Sequence, residues 1–133
     1  MANKKSEQEN MFVKDFRKLI VYQRSLTLVN RVYEMIKCFP SEERYRLESQ
    51  IVRAVTSISA NIAESEQLYV KKRFSFLNNA IGSANEFKCW LDIALQQNYI
   101  DSDTFNELEE KADEIIRILL KILKNLSLQK NPS

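Results

Sequence analysis

One glycine and two prolines are all that this chain of 133 residues contains of the two commonest turn formers. Both residue types interrupt regular structure, so their scarcity predicts a few long helices joined by short loops. The length allows a single hydrophobic core. We therefore predict one all-α domain over residues 14–126, with a mobile N-terminal tail at 1–13 and a frayed C-terminal tail at 127–133.

Apolar residues recur at spacings of three and four in four segments, as expected of helices that pack on one another. Four helices of similar length with short connections predict an antiparallel up-down-up-down four-helix bundle. The predicted helices cover about 15–38, 42–65, 71–98 and 102–126. The predicted buried residues are Leu19, Tyr22, Leu26, Val29, Tyr33 and Ile36; Leu47, Ile51, Ala54, Ile58 and Ile62; Leu77, Ala80, Ala84, Phe87, Leu91 and Ala94; and Phe105, Leu108, Ala112, Ile115, Leu119, Ile122 and Leu126.

Short polar side chains stand where three of these helices should begin. Such side chains accept hydrogen bonds from the free amides of a first helical turn. We expect Asp15 to cap the first helix, Ser41 the second, and either Asp101 or Ser102 the fourth.

The second helix carries a polar face opposite its apolar one, formed by Gln50, Arg53, Ser57, Asn61 and Glu64. Most of these side chains are short, unlike the lysines and glutamates of a typical solvated helix. Such a face suits a helix that is packed on two sides, where polar groups need hydrogen-bond partners. We interpret it as a structural or subunit-interface network first, a solvated face second and a catalytic site third.

Arg53 needs a carboxylate partner if this face is buried. The candidates are Glu64 on the same helix and Glu86 on the third helix.

Residue chemistry gives no support for catalysis, a metal or a cofactor. Histidine is absent, which removes the commonest general base and metal ligand. Carboxylate-bridged metal sites in helical bundles also use histidine, so the acidic side chains of the central helices do not predict one. Cys38 and Cys89 have no CxxC spacing, and we expect reduced, partly buried thiols.

Basic residues form local clusters, although the net charge is only +2. A solvated surface is the simpler interpretation, but a ring of identical subunits would multiply each cluster and could bind a phosphate backbone. The candidate nucleic-acid contacts are Lys71, Lys72, Arg73, Arg117, Lys121 and Lys124, and the first helix adds Arg17, Lys18, Arg24 and Arg31.

The N-terminal residues are polar and resemble no signal peptide. No segment approaches 18 uncharged apolar residues, so we expect no membrane span and a cytoplasmic, soluble protein. Phe76 and Trp90 lie off the apolar stripe of the third helix, and such spare apolar surface is more often an oligomer contact than a ligand platform. Gly82 weakens the same helix by about 1 kcal/mol relative to alanine, which suggests a packing reason for it.

The run from Gln50 to Glu64, with Arg53, Ser57 and Asn61 inside it, resembles the signature of four-helix-bundle proteins associated with intervening sequences in bacterial 23S rRNA genes. Further similarity lies in the segments 16–23, 39–40, 80–86 and 99–100, and it covers roughly residues 12 to 126. Two positions depart from the family pattern. Ser59 stands where proline is frequent, and Ser65 replaces a glycine, which fits a helix that continues toward Leu68.

This resemblance implies a bundle that assembles into a homopentameric ring. The same fold occurs in the accessory variability protein of diversity-generating retroelements, which binds nucleic acid and a reverse transcriptase. We therefore expect a non-enzymatic, ring-forming binding or scaffold protein, with RNA, DNA or a nucleic-acid enzyme as its partner. The alternative is a purely structural or protein-recognition bundle that docks a partner helix in an apolar groove and has no nucleic-acid role.

Overall fold

The computed structural model describes residues 15–130, and within that range it contains four α-helices and no β-strand. The helices are α1 (Ile20–Met35), α2 (Leu47–Glu64), α3 (Val70–Gln96) and α4 (Ser102–Lys130), with short 3-10 turns at Phe16–Lys18, Ile36–Cys38 and Ser41–Glu43. The predicted all-α class is confirmed. The predicted tail at 1–13 lies outside the described residues.

The helices form a bundle in which α2 packs on α1 and α3, while α4 packs on α3 and α1. The predicted apolar stripes of α2 and α3 are buried at every position. In α4 the stripe is buried at Leu108, Ala112, Ile115, Leu119 and Leu126. Phe105 and Ile122 are only partly buried, and Leu123 is buried beside Ile122. Burial of these stripes removes apolar surface from water and supplies the main stabilisation of the fold.

The predicted buried stripe of α1 is wrong. Its members Leu26 and Tyr33 are 40% and 49% exposed, and Leu19, Tyr22, Val29 and Ile36 are only partly buried. The stripe that faces the core consists of Val21, Ser25, Leu28, Val32 and Met35. Because α1 is apolar around much of its circumference, it carries two stripes with helical spacing. The stripe that faces the core contains Ser25, so the other stripe has the more continuous apolar pattern.

The beginning of α1 also differs from the prediction. Asp15 does accept a hydrogen bond from the Arg17 amide at 3.1 Å, but it caps the 3-10 turn that precedes α1. Leu19 has extended backbone, with φ −70° and ψ 129°, and separates that turn from the helix. The single helix predicted over 15–38 is therefore an α-helix with a 3-10 turn on each side.

The second helix begins five residues later than predicted, and Ser41 does not cap it. The Glu43 carboxylate takes that role, because it accepts a hydrogen bond from the Leu47 amide at 3.1 Å. The helix ends at Glu64 and does not continue toward Leu68. The buried Ser65 closes this end, since its hydroxyl donates to the Ile62 carbonyl at 2.5 Å.

The connection between α3 and α4 follows the sequence signals closely. Asn98 adopts a left-handed conformation with φ 62°, and the Tyr99 amide donates to the Ala94 carbonyl at 3.0 Å, which terminates α3. Asp101 accepts a hydrogen bond from the Thr104 amide at 2.8 Å, so it is the cap of α4. The helix continues to Lys130, past the predicted end at Leu126, and residues 131–133 lie outside the described range.

None of the helices described between residues 15 and 130 is long and apolar enough to cross a lipid bilayer.

Candidate interaction surfaces

Part of the predicted polar face of α2 forms hydrogen bonds with α3 inside one chain. The hydroxyl oxygens of Ser57 and Ser83 lie 2.9 Å apart and join the two helices. The Asn61 amide nitrogen donates to the Ser57 carbonyl at 2.9 Å and to its hydroxyl at 3.1 Å. The other three predicted members, Gln50, Arg53 and Glu64, are exposed. The face therefore consists of a small hydrogen-bonded network around Ser57 and, beyond it, exposed side chains.

Arg53 has no carboxylate partner among the described residues. Glu86, one of the two predicted partners, instead accepts a hydrogen bond from the Trp90 indole nitrogen at 3.2 Å. Arg53 borders an open groove of about 370 Å³ between α1 and α2, which we call the α1–α2 groove. The groove is lined by Tyr33, Ile36, Arg44, Tyr45, Glu48, Ser49, Val52 and Arg53.

Aromatic side chains in this groove are unusually open to solvent. Tyr45 is 84% exposed and Tyr33 is 49% exposed, and the Arg44 guanidinium lies 5.6 Å from the centre of the Tyr45 ring. Exposed tyrosine beside arginine is typical of surfaces that contact another macromolecule. Sequence reasoning missed both tyrosines as surface residues, because Tyr33 fitted a core stripe and Tyr45 lies in a connection.

The opposite side of the bundle has the character of a solvated surface. Ion pairs join α4 to its neighbours at Arg24–Glu114 (3.0 Å), Arg31–Glu107 (2.6 Å) and Lys88–Asp113 (2.7 Å). A second contact of 2.7 Å makes the Arg31–Glu107 pair bidentate. The unpaired Arg53 therefore sits on a different side of the molecule from these neutralised charges.

Two of these pairs shift the pKa values of their members. The hydrogen bond from Arg31 lowers the pKa of the Glu107 carboxyl, and the same bond raises the pKa of the Arg31 guanidinium. Hydrogen bonding to Asp113 likewise raises the pKa of the Lys88 ammonium. Each of these cations already pairs with a carboxylate of its own chain, so it is less available to a phosphate ligand.

The predicted basic contacts separate into two groups. Lys71, Lys72, Lys121 and Lys124 are exposed. Arg117 is exposed as well, but it pairs with Glu110 at 3.0 Å.

Arg73 is not grouped with the exposed lysines. It precedes the buried Leu77 by four residues and therefore continues the buried stripe of α3. Its Nε atom is buried and has no hydrogen-bond partner among the described residues. Arg73 is thus partly buried, unlike the exposed lysines beside it.

The two cysteines, Cys38 and Cys89, are free thiols, but both are exposed, so the predicted partial burial is wrong. Within residues 15–130, no three acidic or thiol side chains are grouped in a way that could hold a metal ion.

The family model described as 23S rRNA-intervening sequence protein matches residues 17–121. No curated protein matches the chain. A solved structure of similar fold is a protein of unknown function from the S23 ribosomal protein family of Bacteroides thetaiotaomicron, which is 30% identical. The similarity covers 79% of this chain and 96% of that one, with a TM-score of 0.74. The resemblance read from the sequence is therefore confirmed: this chain belongs to the family of 23S rRNA-intervening sequence proteins.

Proposed function

We propose that this chain is a non-enzymatic, ring-forming scaffold whose copies associate through the α2 side of the bundle. The observation that carries the proposal is the unpaired Arg53 beside the exposed Tyr33 and Tyr45 in the α1–α2 groove. An arginine and two tyrosines are the residue types most enriched at the energetic centres of protein interfaces. Several charges around α4, by contrast, are paired within the chain.

In this proposal the helices run up-down-up-down. Ion pairs support an antiparallel α1 and α4, because Arg24 pairs with Glu114 while Arg31, farther along α1, pairs with the earlier Glu107. The connections between consecutive helices are short, which favours antiparallel neighbours. The pentameric ring implied by the family resemblance is the assembly state that we propose.

The proposed nucleic-acid contacts are Lys71 and Lys72 at the start of α3 and Lys121 and Lys124 in the last third of α4. In an antiparallel α3 and α4 these four exposed lysines lie at the same end of the bundle. A ring would repeat the cluster once per subunit and would raise its effective charge. RNA is the ligand to test first, because the names of the family and of the similar structure refer to rRNA and to a ribosomal protein.

The alternative is a bundle that recognises only protein. It is favoured by the pairing of Arg24, Arg31 and Arg117 with carboxylates, which neutralises much of the basic surface predicted from the sequence. The same groove would then dock a partner through its tyrosines. We place either form in the cytoplasm, where a reducing environment would keep the exposed Cys38 and Cys89 as thiols.

Two measurements test the proposal. Sedimentation velocity of the purified chain should give one species several times heavier than 15.6 kDa. Fluorescence anisotropy with a labelled single-stranded RNA should show binding at low salt that weakens steeply as salt is added. Assembly without any RNA or DNA binding at low salt would favour the protein-recognition alternative, and a monomer would overturn the scaffold itself.

A further inference from the structure

We infer that Arg53 of one copy forms an ion pair with Glu86 of the next copy, so that the α2 side of one subunit docks against α3 of its neighbour. This inference rests on the proposed self-association and names the contact that creates it. It also accounts for a discrepancy, since the sequence names Glu86 as one of two candidate partners of Arg53 and the single chain forms no such pair.

Both charges are available. Arg53 is exposed at the edge of the α1–α2 groove and has no carboxylate partner among the described residues. Glu86 is exposed too, and only its Oε1 atom accepts the hydrogen bond from the Trp90 indole. Its second carboxylate oxygen can accept from a guanidinium. The Trp90 bond fixes the carboxylate in place, which reduces the entropy lost when a partner binds.

The two residues also lie at the same height along the bundle. The Ser57–Ser83 contact of 2.9 Å sets the register of α2 against α3. In antiparallel helices, Arg53 lies about 6 Å from that contact and Glu86 about 4.5 Å from it in the same direction, at 1.5 Å of rise per residue. Rotation about an axis parallel to the helices preserves this height, so a ring brings the two charges to one level.

Five other carboxylates are less suitable, either by position or because they already have partners. Glu64 lies roughly 10 Å from the Ser57–Ser83 contact in the opposite direction. Glu43 already accepts from the Leu47 amide and from the Tyr99 hydroxyl, at 3.1 Å each. Glu107, Asp113 and Glu114 of α4 are each paired with a cation of their own chain.

Gly82, one helical turn before Glu86, supports the same contact. A side chain at this position would meet nothing within 4 Å inside one chain. Within one subunit the glycine therefore has no packing role, although it weakens α3 by about 1 kcal/mol relative to alanine. A neighbouring subunit that approaches α3 closely would give it one.

The surfaces that meet are different: a groove that carries Arg53 and two tyrosines on one copy, and the part of α3 that carries Glu86 and Gly82 on the other. A contact of this kind is heterologous and generates a ring or a filament. The groove borders α1 and α2, whereas Glu86 lies on α3, about one helical turn from the Ser83 that contacts α2.

A charge reversal tests the inference. The variants are Arg53→Glu, Glu86→Arg and the two combined, with the exposed α4 pair Arg117→Glu and Glu110→Arg as a matched control. Circular dichroism checks that each variant folds, which we expect because both residues are exposed. Sedimentation equilibrium should show that each single reversal raises the dissociation constant roughly tenfold or more, while the double reversal largely restores it. The control pair should leave the assembly unchanged.

The outcomes separate the two proposals. If the wild-type chain sediments at 15.6 kDa, self-association fails and this pairing fails with it. If the wild type assembles but the single reversals assemble equally well, or the double reversal stays as weak as the singles, only the Arg53–Glu86 contact is overturned.

Discussion

The hydroxyl oxygens of Ser25 on α1 and Ser59 on α2 lie 2.8 Å apart, and both serines are buried. Ser25 also donates to the Tyr22 carbonyl at 2.6 Å, so its oxygen is left to accept the proton of Ser59. Buried hydroxyls are expensive to leave unpaired. This contact therefore fixes α1 against α2 at a position where an apolar stripe would otherwise be continuous.

Replacement of Ser25 by alanine should lower the free energy of unfolding by about 1–3 kcal/mol, because Ser59 loses its acceptor in the interior. The double variant S25A/S59A should cost less than the sum of the two single changes, since no buried hydroxyl remains unpaired. Urea denaturation of the four proteins measures this coupling. Strictly additive losses would show that the serines do not interact.

Two leucines of α1 give a matched test of which stripe faces the core. Leu28 is fully buried, whereas Leu26, two residues earlier, is 40% exposed. Leu28→Ala should lower the free energy of unfolding by about 2–5 kcal/mol, and Leu26→Ala by less than about 1 kcal/mol. Thermal and urea denaturation at one protein concentration compare the two. Equal losses of unfolding free energy would contradict the assignment of Leu28, and not Leu26, to the stripe that faces the core.

The sequence predicted the core of α3 and most of the core of α2, because each of these helices has one main apolar stripe, but it missed the buried Val55 and Ser59 of α2. It failed for α1 because that helix has two, and only tertiary packing chooses between them. The Ser25–Ser59 contact is part of that packing, yet it joins residues 34 positions apart and leaves no local signal. Helix ends were predictable where a side chain caps them locally, as at Asp101, and not where Glu43 reaches forward to Leu47.

Acid should weaken the fold through Glu107. Its folded pKa is lowered below the ordinary value of 4.5 by the hydrogen bond from Arg31, so its stabilising effect is present above about pH 4.5 and is lost as pH falls through the lowered folded pKa. Glu107→Gln should therefore destabilise the protein at pH 7, by less than about 1 kcal/mol for so exposed a pair. The difference from wild type should shrink below pH 4.5.

The urea concentration at the midpoint of unfolding, measured between about pH 3 and about pH 7, follows this effect across the range in which carboxyl groups titrate. Glu110→Gln is the control, since its pair with Arg117 is more exposed, at 69% and 61% of the two side chains. A Glu107→Gln deficit that stays constant across the whole range would contradict the assignment of the lowered pKa to the Arg31 bond.

The exposed lysines should carry any RNA affinity. Replacing Lys71 and Lys72 together, or Lys121 and Lys124 together, with glutamine should weaken binding and reduce the slope of log affinity against log salt by roughly one to two. Arg24→Gln is the control, because that guanidinium is already paired with Glu114. Anisotropy titrations at three salt concentrations provide the slopes. If Arg24→Gln weakens RNA binding as much as the lysine replacements do, the lysine cluster is not the RNA contact.

The candidate surfaces were only partly visible in the sequence. The polar spacing on α2 predicted a hydrogen-bonded network, and the structure contains the Ser57–Ser83 contact to α3 and the Asn61–Ser57 bond within α2. The spacing could not show that Arg53 lacks a carboxylate partner, because that depends on where Glu86 lies in the folded chain. The basic clusters looked larger than they are, since Arg31 and Arg117 are paired with carboxylates on α4.

The central claim is that the α2 side of this bundle is covered by other copies of the chain, and the molar mass in solution tests it most directly. Light scattering during size-exclusion chromatography should give a mass several times 15.6 kDa for the wild type and for Arg117→Ala, and a smaller mass for a folded Arg53→Ala. A wild-type mass of 15.6 kDa at every concentration would contradict the account.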